Sequence, residues 1–245
     1  MPVSRFVLTS GLHLYAQSRS EAQFQYDEIF GHDCYKVAGL RPNAVVVDVG
    51  ANIGLYTLFV KQHNPDAHIY AFEPIPESAE AFEKNILLHG LRDVRLTRCG
   101  IGAQPEPRAP FTYYPNTPGN STRYPEQKQL QIDLLTHRHP RLDYRSEYRA
   151  EIVSAPIEPL SAVLPSSPVI DLLKVDAEGA ELDILIGVKD RDWQRIKRVV
   201  LEVQDVDRHL AKIASLLTDR GYVAEVRPSP MIEPELRTFL VTASR

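Results

Sequence analysis

Residues Val45-Val-Val-Asp-Val-Gly-Ala-Asn-Ile-Gly-Leu-Tyr-Thr-Leu58 run from an apolar, β-branched stretch into an acidic residue, a glycine turn and an apolar helix. The unbroken valines suit a parallel strand buried on both faces. Gly50 and Gly54 let the backbone turn sharply and approach a ligand closely. The spacing Asp-Val-Gly-Ala-Asn-Ile-Gly departs from the Gly-x-Gly-x-x-Gly of dinucleotide binders, which disfavours a pyrophosphate cradle and favours a cationic, phosphate-free nucleoside. The candidate contacts in this unit are Asp48, Gly50, Ala51, Asn52, Gly54, Tyr56 and Thr57.

A second unit follows. His68-Ile-Tyr-Ala-Phe-Glu-Pro74 reads as a strand ending in Glu73, about twenty residues after the glycine turn, where a carboxylate can accept from ribose hydroxyls. Pro74 adjoins it. Val94-Arg-Leu-Thr-Arg-Cys-Gly100 reads as a third strand whose end, Cys99 and Gly100, approaches the base.

The chain resembles the FkbM family of S-adenosylmethionine-dependent O-methyltransferases in four segments. They are Val47–Leu58, Ala71-Phe-Glu-Pro74, Leu173-Lys-Val-Asp-Ala-Glu-Gly-Ala-Glu181 and Val199-Val-Leu-Glu-Val203, and the resemblance spans about residues 20 to 245. Glu21–Phe30 and Tyr114-Pro-Asn-Thr-Pro-Gly-Asn-Ser-Thr122 look like members tied to polyketide and peptide natural products. The resemblance implies a Rossmann-like class I α/β fold with S-adenosylmethionine as cofactor. It also implies a substrate lid over residues 103 to 156, in which Asn120, Ser121 and Thr122 line an acceptor pocket.

Composition agrees with one domain over residues 1 to 245. Hydrophobic content is 43%, and 28 basic residues against 32 acidic ones leave a net charge of −4. Without a basic block, neither nucleic acid nor an anionic membrane is an expected partner. No apolar run reaches the length of a membrane span, and the cytoplasm is the expected location. Cys34 and Cys99 match no zinc or redox spacing and are read as free thiols.

Strands and helices alternate along the chain. Residues 1–40 are expected to form a helical cap, with Ala22, Tyr26 and Ile29 on one face. A helix over 77–89 is stopped by Gly90. Seven prolines between 105 and 140 break all periodicity over 103–156, so this stretch reads as an insertion, partly β, above the site. A short helix is expected over 159–164, strands at 169–176 and 198–204, and a helix at 181–188. Asp207 is the expected N-cap of a helix reaching Arg220. An antiparallel pair, 222–227 and 238–242, closes the mostly parallel, seven-stranded sheet, which carries helices on both faces.

Methyl transfer to oxygen requires placement of the hydroxyl and removal of its proton. Asp176, at the end of the fourth strand, is the first candidate for the base and also a cofactor contact. Glu202 and His209 are the other catalytic candidates. A lysine in a buried strand requires a partner, and Glu202 on the neighbouring strand is the expected partner of Lys174. Asp176 with Glu202 or Asp205 could instead hold a divalent cation, although no metal is predicted. Acidic Glu178 and Glu181 suit a helix start, and His137 and His139 are expected to face solvent.

These readings point to O-methylation of a secondary-metabolite hydroxyl, presented free or on a carrier. Methylation of a sugar hydroxyl and a non-catalytic cofactor-binding docking domain are the alternatives.

Overall fold

Every residue of Val45–Val49 is buried, as a central parallel strand requires. The chain is seen here in a computed structural model, which describes all residues except 1, 33, 36–38, 165, 166 and 168.

The N-terminal segment is not wholly helical. It opens with an antiparallel hairpin, β1 (Ser4–Val7) and β2 (His13–Ala16). Alternation explains it: Leu14 and Ala16 of β2 point inward while His13 is exposed. Helix α1 (Arg19–Tyr26) follows, with Ser18 accepting from the Glu21 N–H as N-cap, and passes into a π-helical turn, Asp27–Gly31. Part of the expected cap falls on residues 36–38, outside the described residues.

The alternating units come next: β3 (Val45–Val49), α2 (Leu55–His63), β4 (His68–Phe72), α3 (Pro76–Leu88) and β5 (Val94–Thr97). The expected third strand is divided. The Cys99 N–H bonds to the Thr97 carbonyl at 3.0 Å, which turns the chain, and β6 (Gly100–Gly102) enters a second sheet with β7 (Glu106–Tyr113). Helices α4 (Pro125–Arg138) and α5 (Tyr144–Glu147) precede β8 (Glu151–Pro159), the middle strand of that sheet. The 103–156 insertion is therefore ordered, with Pro125 at the first turn of α4, where a missing N–H costs nothing.

After α6 (Leu160–Val163) come β9 (Leu172–Val175), α7 (Glu181–Ile186), α8 (Asp190–Trp193), β10 (Arg198–Gln204), α9 (His209–Asp219), β11 (Val223–Pro228) and β12 (Thr238–Ser244). The capping oxygen of α9 is not that of Asp207, which lies at φ +52. It comes from Asp205, whose Oδ1 accepts the Leu210 N–H at 3.2 Å.

The main sheet has seven strands in the order β11-β12-β10-β9-β3-β4-β5, parallel except for β12, which is antiparallel to both of its neighbours. Val45, Val47 and Val49 pack with Leu173, Val199 and Leu201 against Ile184 of α7 and Ile213 of α9. Val46, Leu172 and Val200 face the opposite way, against Leu55 and Phe59 of α2 and Leu14 of the hairpin. Period-two alternation thus gives the sheet two cores, with helices on both faces. Among the described residues no helix is long and apolar enough to cross a membrane.

Candidate active site

Two cavities open beyond the carboxyl ends of the parallel strands, where ligands of such sheets bind. The inner one is lined by Gly50, Ala51, Asn52, Tyr56, Glu73, Pro74, Cys99 and Gly100, among others. The outer one lies under the insertion, against Leu135, Tyr144, Tyr148, Met231 and Leu236. They meet at Asp176, Glu178 and Glu202, which line both, as do Glu21 and Asn120.

Gly50 is held at φ +73, and a Cβ added there would fall on the Asp176 carbonyl oxygen. Its N–H and that of Ala51 both bond to the Phe72 carbonyl, at 3.1 and 3.0 Å. Backbone alone therefore forms this wall of the inner cavity. Gly54, at φ +87, is set back: an added Cβ would meet the Phe82 ring at 2.8 Å. Glu73 binds the loop itself, Oε2 accepting from the Asn52 N–H and Oε1 from the Ile75 N–H, both at 2.8 Å. Burial raises its pKa to about 7 despite these two bonds. Each carboxylate oxygen retains a second lone pair for a ligand.

Asp48, Gly54 and Thr57 do not line either cavity. Asp48 is fully buried behind the loop, with the Thr57 hydroxyl donating to its Oδ2 at 3.5 Å. Its principal partner is Lys174, whose Nζ lies 3.1 Å from Oδ1. The expected Lys174–Glu202 pair does not form, because the register places Lys174 opposite Asp48 on one side and Val200 on the other. Glu202 lies two residues beyond Val200 and instead accepts from the Ser229 hydroxyl at 3.2 Å.

Lys174 also donates to the Gly50 carbonyl at 2.8 Å and stands 3.6 Å from Asp176 Oδ2. Burial opposes its charge, but Asp48 and then Asp176 outweigh burial and leave its pKa raised. Burial, and next Glu28 and Asp176, push Glu202 well above the usual carboxylate range. Asp176 is partly open to the cavities and receives the Tyr35 hydroxyl on Oδ2 at 2.9 Å.

The insertion is fastened over this seam. Lys128 of α4 is buried and bonds to Glu178 Oε2 at 2.6 Å and Asn120 Oδ1 at 3.0 Å. The Gly119 N–H donates to Glu21 of α1. Asn120 and Ser121 line the inner cavity, whereas Thr122 is buried beneath it and donates to the Glu178 carbonyl at 2.6 Å. At the far end of α4, Arg138 and His139 pair with Glu233, rather than facing solvent alone.

His209 lines neither cavity, being carried away by the turn into α9. Asp205 is taken by Arg237, and among the described residues no three His, Cys, Asp or Glu side chains converge on a metal-binding arrangement. Cys34 and Cys99 are both buried. Glu21, Gln25, Glu28 and Tyr35 were not among the candidates, yet all four line the inner cavity. The spacing of Glu21, Gln25 and Glu28, i, i+4 and i+7, was the available signal, a polar stripe on one helical face.

The sequence model described as "Methyltransferase FkbM domain" matches residues 48–224, from the buried aspartate of β3 into β11. The chain belongs to the FkbM methyltransferase family. This FkbM-family chain is 34% identical to "Methyltransferase 1" of Beauveria bassiana, over 99% of its own length and 98% of the relative's. It is 38% identical to "Methyltransferase sdnD" of Sordaria araneosa, covering 86% of each. It is 33% identical to "31-O-demethyl-FK506 methyltransferase FkbM" of Streptomyces tacrolimicus, over 91% and 90%. A solved "Methyltransferase FkbM" from Methylobacillus flagellatus KT superimposes with a TM-score of 0.57 at 13% identity, covering 85% of this chain and 46% of that one. The FkbM-family chain is thus a methyltransferase with the Rossmann-like class I fold, and its seam of carboxyl groups lies where that fold places its chemistry.

Proposed function

We propose that the chain is an S-adenosylmethionine-dependent O-methyltransferase acting on a hydroxyl of a secondary metabolite of the polyketide or peptide type. The observation that carries this reading is the position of Asp176, at the seam of the inner cavity and an outer one that sets aromatic and apolar side chains beside several carboxyl groups. The inner cavity fits the cofactor: Gly50, at positive φ and packed on the Asp176 backbone, gives the cavity a wall without a side chain, and Glu73 offers lone pairs to a ribose. When bound, the cofactor supplies an already activated sulfonium methyl.

The residues of the chain then have two tasks. The outer cavity seats the acceptor, with Leu135, Tyr144, Tyr148, Met231 and Leu236 against its apolar parts and polar side chains beside them, and orientation of this kind is worth on the order of 7–11 kcal/mol in ideal cases. Asp176 accepts the hydroxyl proton, while Lys174 and the Tyr35 hydroxyl hold its carboxylate in place. Glu202, raised by burial and already accepting from the Ser229 hydroxyl, is less suited than Asp176 to be the base. The Streptomyces tacrolimicus relative is named for methylation of a 31-O-demethyl compound. The chain also matches 12% of "AMB antimetabolite synthetase AmbE" of Pseudomonas aeruginosa at 32% identity, which motivates testing carrier-bound acceptors.

The test is transfer of label from methyl-labelled S-adenosylmethionine to free and carrier-bound hydroxy compounds, with products located by mass spectrometry. Label on oxygen supports the proposal. Label on carbon or nitrogen, or cofactor binding without transfer to any acceptor, overturns it.

A further inference from the structure

Glu28 has no role in the chemistry above. It stands in the π-helical turn Asp27–Gly31, a local widening of the helix of a kind that recurs at functional sites. Its side chain is only 7% exposed and lines the inner cavity with Gly50, Tyr35 and Lys174. Among the described residues it makes no side-chain hydrogen bond and no ion pair. Two cations line the same cavity: Lys174 is committed to Asp48 and the Gly50 carbonyl, and Arg123 to Glu106. A buried carboxyl group without a partner is costly and calls for a donor.

Two observations identify that donor. Glu28 lines the inner cavity and not the outer one, unlike Glu21, Asp176, Glu178 and Glu202, which places it on the cofactor side of the seam. It also shares that cavity with Gly50 and Tyr35, while Glu73, the ribose candidate, follows β4 and accepts from the Asn52 N–H. Of the two cationic groups of S-adenosylmethionine, the sulfonium has no N–H, whereas an ammonium offers three donors to a carboxylate. We infer that Glu28 receives the α-ammonium of the cofactor's methionine portion, delivered to it by the π turn. Burial, and next Asp176, raise the Glu28 pKa to about 8, and a bound cation opposes both influences.

This inference rests on the S-adenosylmethionine reading, and calorimetric binding separates the two. The ligands are S-adenosylhomocysteine, its analogue lacking the amino group, and 5′-methylthioadenosine. They are titrated into wild type, Glu28→Gln and Glu28→Asp. The expected result is a roughly ten- to hundredfold loss of S-adenosylhomocysteine affinity in Glu28→Gln, with a smaller loss in Glu28→Asp. Binding of 5′-methylthioadenosine should be unchanged, which also reports that the variants fold. Wild type should bind the deaminated analogue more weakly by a similar factor, a measurement that needs no variant. Equal binding of S-adenosylhomocysteine by wild type and Glu28→Gln, or an equal loss for 5′-methylthioadenosine, overturns the Glu28 assignment alone. Failure of wild type to bind S-adenosylmethionine or S-adenosylhomocysteine overturns the cofactor reading with it.

Discussion

Lys174 and Asp48 stand directly opposite one another on adjacent parallel strands, with Nζ 3.1 Å from Oδ1 and both side chains out of reach of bulk water. Removing one member leaves the other as an uncompensated buried charge, a loss of about 3–5 kcal/mol. Lys174→Met should therefore destabilise the fold strongly in denaturant titrations. The double variant Asp48→Leu/Lys174→Met should recover much of that loss. Because Lys174 also holds the Gly50 carbonyl, the double variant should still bind cofactor more weakly than wild type. A single variant as stable as wild type would show that the pair contributes nothing.

The contact between Gly50 and the Asp176 carbonyl makes even one methyl group too large. Gly50→Ala should abolish measurable S-adenosylmethionine binding, since a β-carbon at this φ is both strained and in collision with backbone. Isothermal titration decides the matter, with circular dichroism reporting whether the variant is folded. A folded Gly50→Ala protein of normal affinity contradicts the assignment of the inner cavity.

Asp176→Asn keeps the shape of the side chain and removes its charge. With Asp176 as proton acceptor, kcat should fall by roughly two to four orders of magnitude while cofactor affinity changes little. Tyr35→Phe, which deletes the hydroxyl on Oδ2, should produce a smaller fall of the same kind. Chelator should leave wild-type turnover unchanged. Loss of activity with chelator, restored by Mg²⁺, would reassign Asp176 as a metal ligand.

Four carboxyl groups give the protein an unusual dependence of stability on pH. Burial, the first cause in each case, raises Glu21 and Glu28 to about 8 and Glu73 and Glu181 to about 7, from an ordinary 4.5. A folded-state pKa above the unfolded one favours folding most below the unfolded value. That contribution disappears as pH rises through the folded value. The melting temperature of the cofactor-free protein should therefore decline between about pH 5 and about pH 8 and level off above that, and Glu28→Gln should reduce the decline. A flat or rising profile contradicts these shifts.

The β7–β8 pair cannot be deleted without consequence, because Ala109, Phe111, Ala155 and Ile157 bury Ile75 at the cofactor loop. Replacing only residues 123–149 with a short flexible linker removes α4, α5 and the Lys128–Glu178 contact while leaving that packing. The expected outcome is retained cofactor affinity with loss of methyl transfer. Turnover at the wild-type rate in the replaced protein would exclude this segment from acceptor binding.

The framework was legible because its signals are local. A valine run, a glycine turn and an acidic strand end depend on residues next to each other, and β3, β4, β9 and β10 stand where they were expected. The partner of Lys174 was not legible, since two carboxylates were available on its neighbours and only strand register chooses between Asp48 and Glu202. Helix α4 was obscured because only Lys128 and Ile132 of its residues are buried, which leaves almost no apolar stripe to read. Tyr35 escaped for another reason: it reaches Asp176 across 141 positions of sequence, and no spacing rule connects them.

The segment between β7 and β8 springs from a single rung of ladder, with Tyr113 paired to Glu151, in a sheet separate from the one that carries the cofactor loop. Its length and contents can therefore change without shifting any strand of the seven. On the acceptor assignment proposed above, the α4–α5 side of the acceptor cavity is in this sense a cassette, exchangeable at two fixed anchor points. Transplanting the corresponding stretch from a relative should carry acceptor choice along while the nucleoside half of the enzyme stays the same.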